Sequence, residues 1–200
     1  MKLIELTVRT PRGKVPDSLH KNYKQSVQAG FRNDFIFSFK DKLSQLGWVK
    51  LGDGLYSIVY TNPRKSYVLK INKIFDSGFE AFAQFVKSYP NKHFPKIGDV
   101  KQVKYANARY YIYCIEKLYP ITPLATARKM ADLIDDAFYD DPPKGPAFNF
   151  FQKQPNLLGA IKLLRNKFGA NNDIHSGNIM QRKDGTIVIT DPYAWCDETS

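Results

Sequence analysis

The sequence predicts an α+β fold in which an antiparallel sheet with one inserted helix gives way to a helical region. Three observations carry this. Short β-prone runs separated by turn residues fill the chain up to Ile115. Beyond Leu118-Tyr119-Pro120, apolar residues recur at helical spacing. A last alternating run, Thr186-Ile187-Val188-Ile189-Thr190, delivers Asp191 at a strand end. At 200 residues, 43% hydrophobic and 14% aromatic, the chain has material for one domain with two lobes around a cleft, and disorder is not expected.

Taken in order, residues 2–10 alternate as a strand, and a Gly/Pro-containing loop follows to Pro16. Asp17 or Ser18 can cap a helix to Ala29. A second helix is expected over Asp34–Leu46, with Phe35, Phe39, Leu43 and Leu46 on one face and Gly47 as its C-terminal cap. Trp48–Leu51, Tyr56–Thr61 and Tyr67–Ile71 read as strands, joined by turns at Gly52-Asp53-Gly54 and Asn62-Pro63-Arg64-Lys65. Ser77 can cap a helix over Gly78–Ser88 that turns Phe79, Phe82 and Val86 inward, and Lys101–Tyr105 and Arg109–Ile115 are further strands. Pro123 then opens a helix with Leu124, Ala127, Met130, Ile134 and Phe138 on its buried side. Tyr139–Pro146 reads as a loop, and Asn156–Phe168 as a helix ended by Gly169.

The formal charge of +11 draws acidic partners: nucleic acid, an acidic protein surface or nucleotide phosphates. It does not choose among them. No apolar run approaches the roughly 20 residues of a membrane helix, so no membrane partner is expected. Glu5 comes too early for a secretory signal. Cys114 and Cys196 make no disulfide framework, which points to a reducing cytoplasm. No Gly-x-Ser-x-Gly, zinc-type cysteine pair or Walker A motif is present.

The chemistry concentrates in Asp173-Ile174-His175-Ser176-Gly177-Asn178 and in Asp191. An acid and an amide five residues apart, with a second acid at a strand end, are what phosphoryl transfer needs: a base to orient a hydroxyl, and oxygen ligands for Mg²⁺. The plainer reading is an Asx-turn and a strand-end acid. Upstream, Gly52-Asp53-Gly54 lets backbone N–H groups approach phosphates, and Val59 can cover a flat base, although Gly-x-Gly in a hairpin is usually only a turn. Lys70 sits in an apolar strand, where its charge needs a partner unless it faces solvent. Glu80, or Asp76 as second choice, could supply that partner, but an acid in a first helical turn is favourable without any function. Ile115-Glu116-Lys117-Leu118 lies where the sheet gives way to helices, and its backbone could bond an adenine edge. Each reading is weak alone. Their order along the chain is hard to ascribe to chance.

In this arrangement the chain resembles the protein-kinase-like fold. Gly52–Val59 looks like the glycine-rich loop with Ser57 for its third glycine, and Val68-Leu69-Lys70 like the strand bearing the ATP lysine. Glu116 is similar to the hinge acid, Asp173–Asn178 to the catalytic loop, and Asp191-Pro192-Tyr193 stands where Asp-Phe-Gly would be. A closer resemblance, over residues 45–195, is to the early serine/threonine protein kinases of short-tailed lytic bacteriophages. It rests on Asp173–Met180, the strand ending Ile189-Thr190-Asp191-Pro192, and Leu51–Ser57 before a lysine strand.

The resemblance implies a bilobal fold within a single domain, 1–200: an N-terminal extension 1–45, an antiparallel small lobe 46–118 with one helix, and a reduced helical large lobe 119–200. It implies an ATP- and Mg²⁺-dependent kinase acting in the cytoplasm of an infected bacterial host on serine or threonine of host proteins, with RNA polymerase and ribonucleases as candidates. Asp173, Lys70 and Asn178 would be catalytic, and Asn178 and Asp191 would hold the metal. Gly52, Gly54, Val59, Lys70, Glu80, Glu116, Leu118 and His175 would line the nucleotide. Nucleic acid could bind the basic surface. The departures are specific: Asn171-Asn172 replace the usual His or Arg before the catalytic Asp, and His175 replaces a catalytic-loop lysine. Nine residues follow Asp191, so the activation segment and late large-lobe helices are expected to be missing. Two other functions stay open: a kinase-like module that inhibits a host enzyme by contact, and a small-molecule phosphotransferase.

Overall fold

The computed structural model describes residues 9–10, 13–14, 40–41, 43–53, 57–72, 76–105, 108–139, 143–169 and 172–193. They fall into two compact units, Met1–Asp76 with Lys96–Lys117 and Ser77–Pro95 with Leu118–Ser200. Residues 2–8 of the expected first strand, the helix to Ala29, Gly54 and Cys196 lie outside the described residues. Together the units are α+β, and the main sheet is antiparallel throughout.

The first unit begins with the short paired strands β1 (Arg9–Thr10) and β2 (Gly13–Lys14). Residues 40–41 and 43–45 are helical, the end of the helix expected over Asp34–Leu46. Its C-terminus closes as the sequence implies. Gly47 takes φ 78°, its N–H reaches Ser44 O at 2.9 Å, and Trp48 N–H reaches Leu43 O at 2.8 Å. This is a Schellman cap, and its apolar contact partners Leu43 and Trp48 are both buried.

Five strands follow: β3 (Val49–Asp53), β4 (Ser57–Thr61), β5 (Tyr67–Asn72), β6 (Lys101–Tyr105) and β7 (Ala108–Glu116), in the order β3-β4-β5-β7-β6. β4 alternates half-buried and buried residues, whereas the central β5 is buried along its length. Leu69 lies opposite Tyr60 and Cys114, which share a core face with Ile58, Ile71 and Ile112. Trp48 joins through Tyr67, their ring centroids 5.5 Å apart. One expectation is corrected here. Gly52 and Asp53 are not turn residues but the end of β3, opposite Val59 and Ile58. A register shift between Lys50 and Gly52 absorbs one residue and keeps β3 paired past the glycine.

The second unit holds α1 (Ser77–Ser88), β8 (Tyr119–Pro120), α2 (Leu124–Tyr139), α3 (Gly145–Gln152), α4 (Pro155–Phe168), β9 (Ile179–Gln181) and β10 (Ile187–Ile189). The last two strands form a hairpin that β8 extends to the order β10-β9-β8. α3 departs from the expected loop through Pro146. Its proline falls in the first turn, where the missing N–H costs nothing, and Ala147 and Phe151 anchor it by burial. A chain of rings runs through this unit: Phe82 and Phe85 of α1 meet Phe94, Phe85 meets Phe168 at 5.3 Å, and Phe168 meets Tyr193 at 4.3 Å. It anchors the segment just after Asp191. Among the described residues no helix is long and apolar enough to cross a membrane.

Candidate active site

The loop from Asp173 to Asn178 is closed by its own polar groups. Asn178 Nδ2 donates to Asp173 O at 2.8 Å and lies 3.4 Å from Asp173 Oδ2, while Asn178 N–H bonds His175 O at 2.9 Å. The strand-end acid is tied to this loop on both sides. Thr190 gives its N–H, at 2.9 Å, and its hydroxyl, at 3.0 Å, to Asn178 O. Asp173 N–H bonds Pro192 O at 2.7 Å. The residues on either side of Asp191 are thereby bonded to Asn178 and Asp173.

His175 belongs to the same loop. Gly177 N–H donates to its Nδ1 at 3.1 Å, so in the neutral ring the proton sits on Nε2. That Nε2 lies 3.8 Å from Asp173 Oδ2, close but beyond hydrogen-bond length. The ring lies over Gly177, where an added Cβ would stand 2.8 Å from His175 Cε1 and 3.1 Å from Nδ1. Gly177 is therefore needed for this close approach.

Several supporting residues carry no signal in a linear reading. Asn172, one of the two unexpected asparagines, accepts the Ile174 N–H at Oδ1 (3.1 Å) and reaches Tyr139 Oη of α2 at 3.4 Å, which fixes the entry to the loop. His93 is buried, and its Nδ1–H donates to Ile187 O at 2.8 Å. The His93 carbonyl accepts the Ile189 N–H at 2.9 Å, so both ends of β10 are held to one residue. Burial holds the His93 pKa below the usual histidine value against the opposing Ile187 bond, and the charges of Lys92 and Arg182 push the same way as burial. Arg182 crosses to the same segment by bonding the carbonyls of Lys92 and Phe94.

The first-unit candidates share one feature that the sequence did not reveal. Gly52 pairs with Val59, Val59 with Lys70, and Lys70 with Tyr113, forming a single row across four strands. Residues directly opposite in a sheet lie on the same face, so the glycine, the apolar cover and the lysine present one surface. Lys70 is only 8% exposed. On that face, two residues along β5, the buried Asn72 bonds Asp76 Oδ2 at 3.5 Å through Nδ2. Glu116 ends β7 with its carboxylate accepting Lys96 N–H at 3.1 Å and its own N–H bonding Lys96 O at 2.9 Å. The chain passes from the first unit to the second at Lys117-Leu118. Glu80 lies in the first turn of α1, where Gln84 Nε2 donates to it at 2.8 Å. Cys114 is a core residue whose thiol is pushed up to about 12 by burial, so it is not a reactive nucleophile.

The donor set fits a hard divalent cation. Asn178 Nδ2 is spent on Asp173, which leaves its amide oxygen as the donor it could offer a cation, and Asp191 carries carboxylate oxygens. One carboxylate and an amide oxygen, completed by substrate phosphates, are how Mg²⁺ is commonly bound.

One family model, described as Bacteriophage T7 protein kinase 0.7, matches residues 13–200. No curated protein matches the chain.

Proposed function

Since the chain belongs to the bacteriophage T7 protein kinase 0.7 family, we propose that it is an ATP- and Mg²⁺-dependent serine/threonine kinase that modifies host proteins in the infected cell. The observation that carries the reading is the double tie of the Asp191 segment to the Asp173–Asn178 loop. In this reading residues 46–118, the five-stranded sheet together with α1, are the small lobe and residues 119–200 a reduced large lobe of a kinase-like fold, although α1 groups with the second unit. Asp173 orients the acceptor hydroxyl and takes its proton. Asn178 and Asp191 would hold Mg²⁺, which would supply charge neutralisation to the phosphates. Lys70 holds the α/β-phosphates, with Gly52 beside them and Val59 against the base. The Glu116–Leu118 backbone receives the adenine edge through groups other than the N–H of Glu116 and of Lys117, which are bonded to Lys96 O and Ser66 O. His175, with Nε2 3.8 Å from Asp173 Oδ2, orients that carboxylate or meets the γ-phosphate. The work asked of the protein is positioning and charge neutralisation.

The test is transfer of labelled phosphate from ATP in host lysate, comparing the wild-type chain with Asp173→Ala and Asp191→Ala. Label on host proteins that both substitutions abolish is the expected result. Absence of transfer, with capture of a host protein intact in both variants, would replace this reading with a contact inhibitor. Label confined to metabolites would replace it with a small-molecule phosphotransferase.

A further inference from the structure

The net charge of the chain belongs to one unit. Along the segments that make up the first unit there are nineteen Lys and Arg against eight Asp and Glu, and along the second eleven against eleven. Within the first unit, hydrogen bonds and register gather described cations at one end of the five-stranded sheet, the end away from the β3–β4 connection. Arg64 and Lys65 lie in the β4–β5 turn. Lys117 N–H bonds Ser66 O in that turn at 2.9 Å. Lys96 is bonded to Glu116 at the end of β7, which pairs with Tyr67 at the start of β5. Lys50 stands one residue in from Val49, whose partner Thr61 immediately precedes the turn. Arg64, Lys96 and Lys50 are exposed.

The backbone at this end has little left to offer a ligand. The N–H groups of Arg64, Lys65, Lys96, Glu116 and Lys117 are all engaged, by Asn62 Oδ1, Asn62 O, Glu116 Oε1, Lys96 O and Ser66 O. A peptide held through main-chain hydrogen bonds would need such donors free. Here recognition is left to long cationic side chains, which suit a repeating charge in an extended, sequence-independent polyanion.

We infer that the sheet end formed by Lys50, Arg64, Lys65, Lys96 and Lys117 binds the phosphodiester backbone of nucleic acid. Binding is independent of ATP and of the Asp173 site. It would bring the chain to proteins that are themselves bound to nucleic acid, and that consequence alone rests on the protein-kinase reading.

The test is fluorescence anisotropy of a labelled oligouridylate of about 20 nucleotides, titrated with the full chain across a salt series without ATP. Expected is binding that weakens linearly in log–log salt. The Arg64→Glu/Lys65→Glu variant should bind about tenfold more weakly or worse at low salt, with the salt slope reduced by about 1.4 for two lost phosphate contacts. Arg64→Gln/Lys65→Gln should follow the same direction with less effect, and serves if the double reversal melts early. Lys129→Glu/Lys153→Glu carries the same charge change on the second unit and should stay within about twofold. Equal weakening by the two reversals would overturn the assignment to this end. So would unchanged binding in the Arg64/Lys65 variants, or displacement of the oligonucleotide by polyglutamate of matched charge at equal concentration. Because binding is read without ATP, its failure is separate from failure of phosphoryl transfer, and the Arg64/Lys65 variants should keep their transfer rate on a nucleic-acid-free protein substrate.

Discussion

Replacing Gly177 with alanine tests how the Asp173–Asn178 loop is arranged. The added Cβ would stand 2.8 Å from His175 Cε1, about 0.7 Å inside the shortest comfortable carbon contact. Gly177 has no left-handed φ, so the backbone accepts alanine and the ring must leave. The His175 side chain is 57% exposed and can rotate outward, losing the Gly177 N–H···Nδ1 bond. That bond is worth about 1 kcal/mol at most in so exposed a place, and moving the ring off its present rotamer adds about 0.5–1 kcal/mol. A bias of about 1–2 kcal/mol moves the ring away from Asp173 by a factor of about 5–30 in population. Single-turnover transfer from ATP should fall by up to that factor in Gly177→Ala, while in a His175→Ala background the same change should cost less than about twofold. ¹⁵N spectra of the imidazole should show the Nε2–H tautomer in the wild type and a tautomer mixture in Gly177→Ala. Additive losses in the two backgrounds, or an unchanged tautomer, would refute the coupling between Gly177, His175 and Asp173.

Other changes have equally definite outcomes. Gly47→Ala forces a left-handed φ of 78° on a side chain, and its Cβ meets Asn62 Nδ2 at an ordinary 3.5 Å, so thermal unfolding should show a loss of about 1 kcal/mol from conformation rather than crowding. His93 has a folded-state pKa below its unfolded value near 6.5, so its contribution is complete above 6.5 and is lost as pH falls toward the lowered value. The unfolding free energy from denaturant titrations should therefore drop by at most about 1.4 kcal/mol per pH unit in that window, and His93→Asn, which keeps a donor for Ile187 O, should flatten the slope. Lys70→Met should reduce ATP-dependent transfer by more than about a hundredfold, measured at a temperature where circular dichroism shows the variant folded. Leu157→Ala, at a site with 0% exposure in α4, should cost about 2–5 kcal/mol in chemical denaturation.

The elements legible in the sequence are those whose pattern is local. β4 shows its alternation, α1, α2 and α4 show apolar residues at helical spacing, and Gly47 announces a helix end. β8, with two residues, pairs with β9 far along the chain, and α3 was hidden by a Gly-Pro start that also reads as a turn. Asp173, Asn178 and Asp191 could be named from spacing, but the bonds between their segments rest on backbone groups of Asp173, Asn178, Thr190 and Pro192, joined by the Asn178 amide and the Thr190 hydroxyl. The row Gly52–Val59–Lys70–Tyr113 depends on a register shift at Lys50 that no composition predicts. Asn172 read as a departure from a motif, whereas in the fold it caps the loop that Asp173 begins.

The central claim is that Asp173 carries the chemistry of a nucleotide-dependent transfer without being needed to bind the nucleotide. The direct measurement is the rate of γ-phosphoryl transfer to protein by Asp173→Asn, set beside its affinity for ATP with Mg²⁺ by calorimetry. The account predicts a rate reduced by about a hundredfold or more, as expected on losing a general base, with ATP affinity within about threefold of the wild type. Transfer at the wild-type rate, or no ATP binding by either protein, would contradict it.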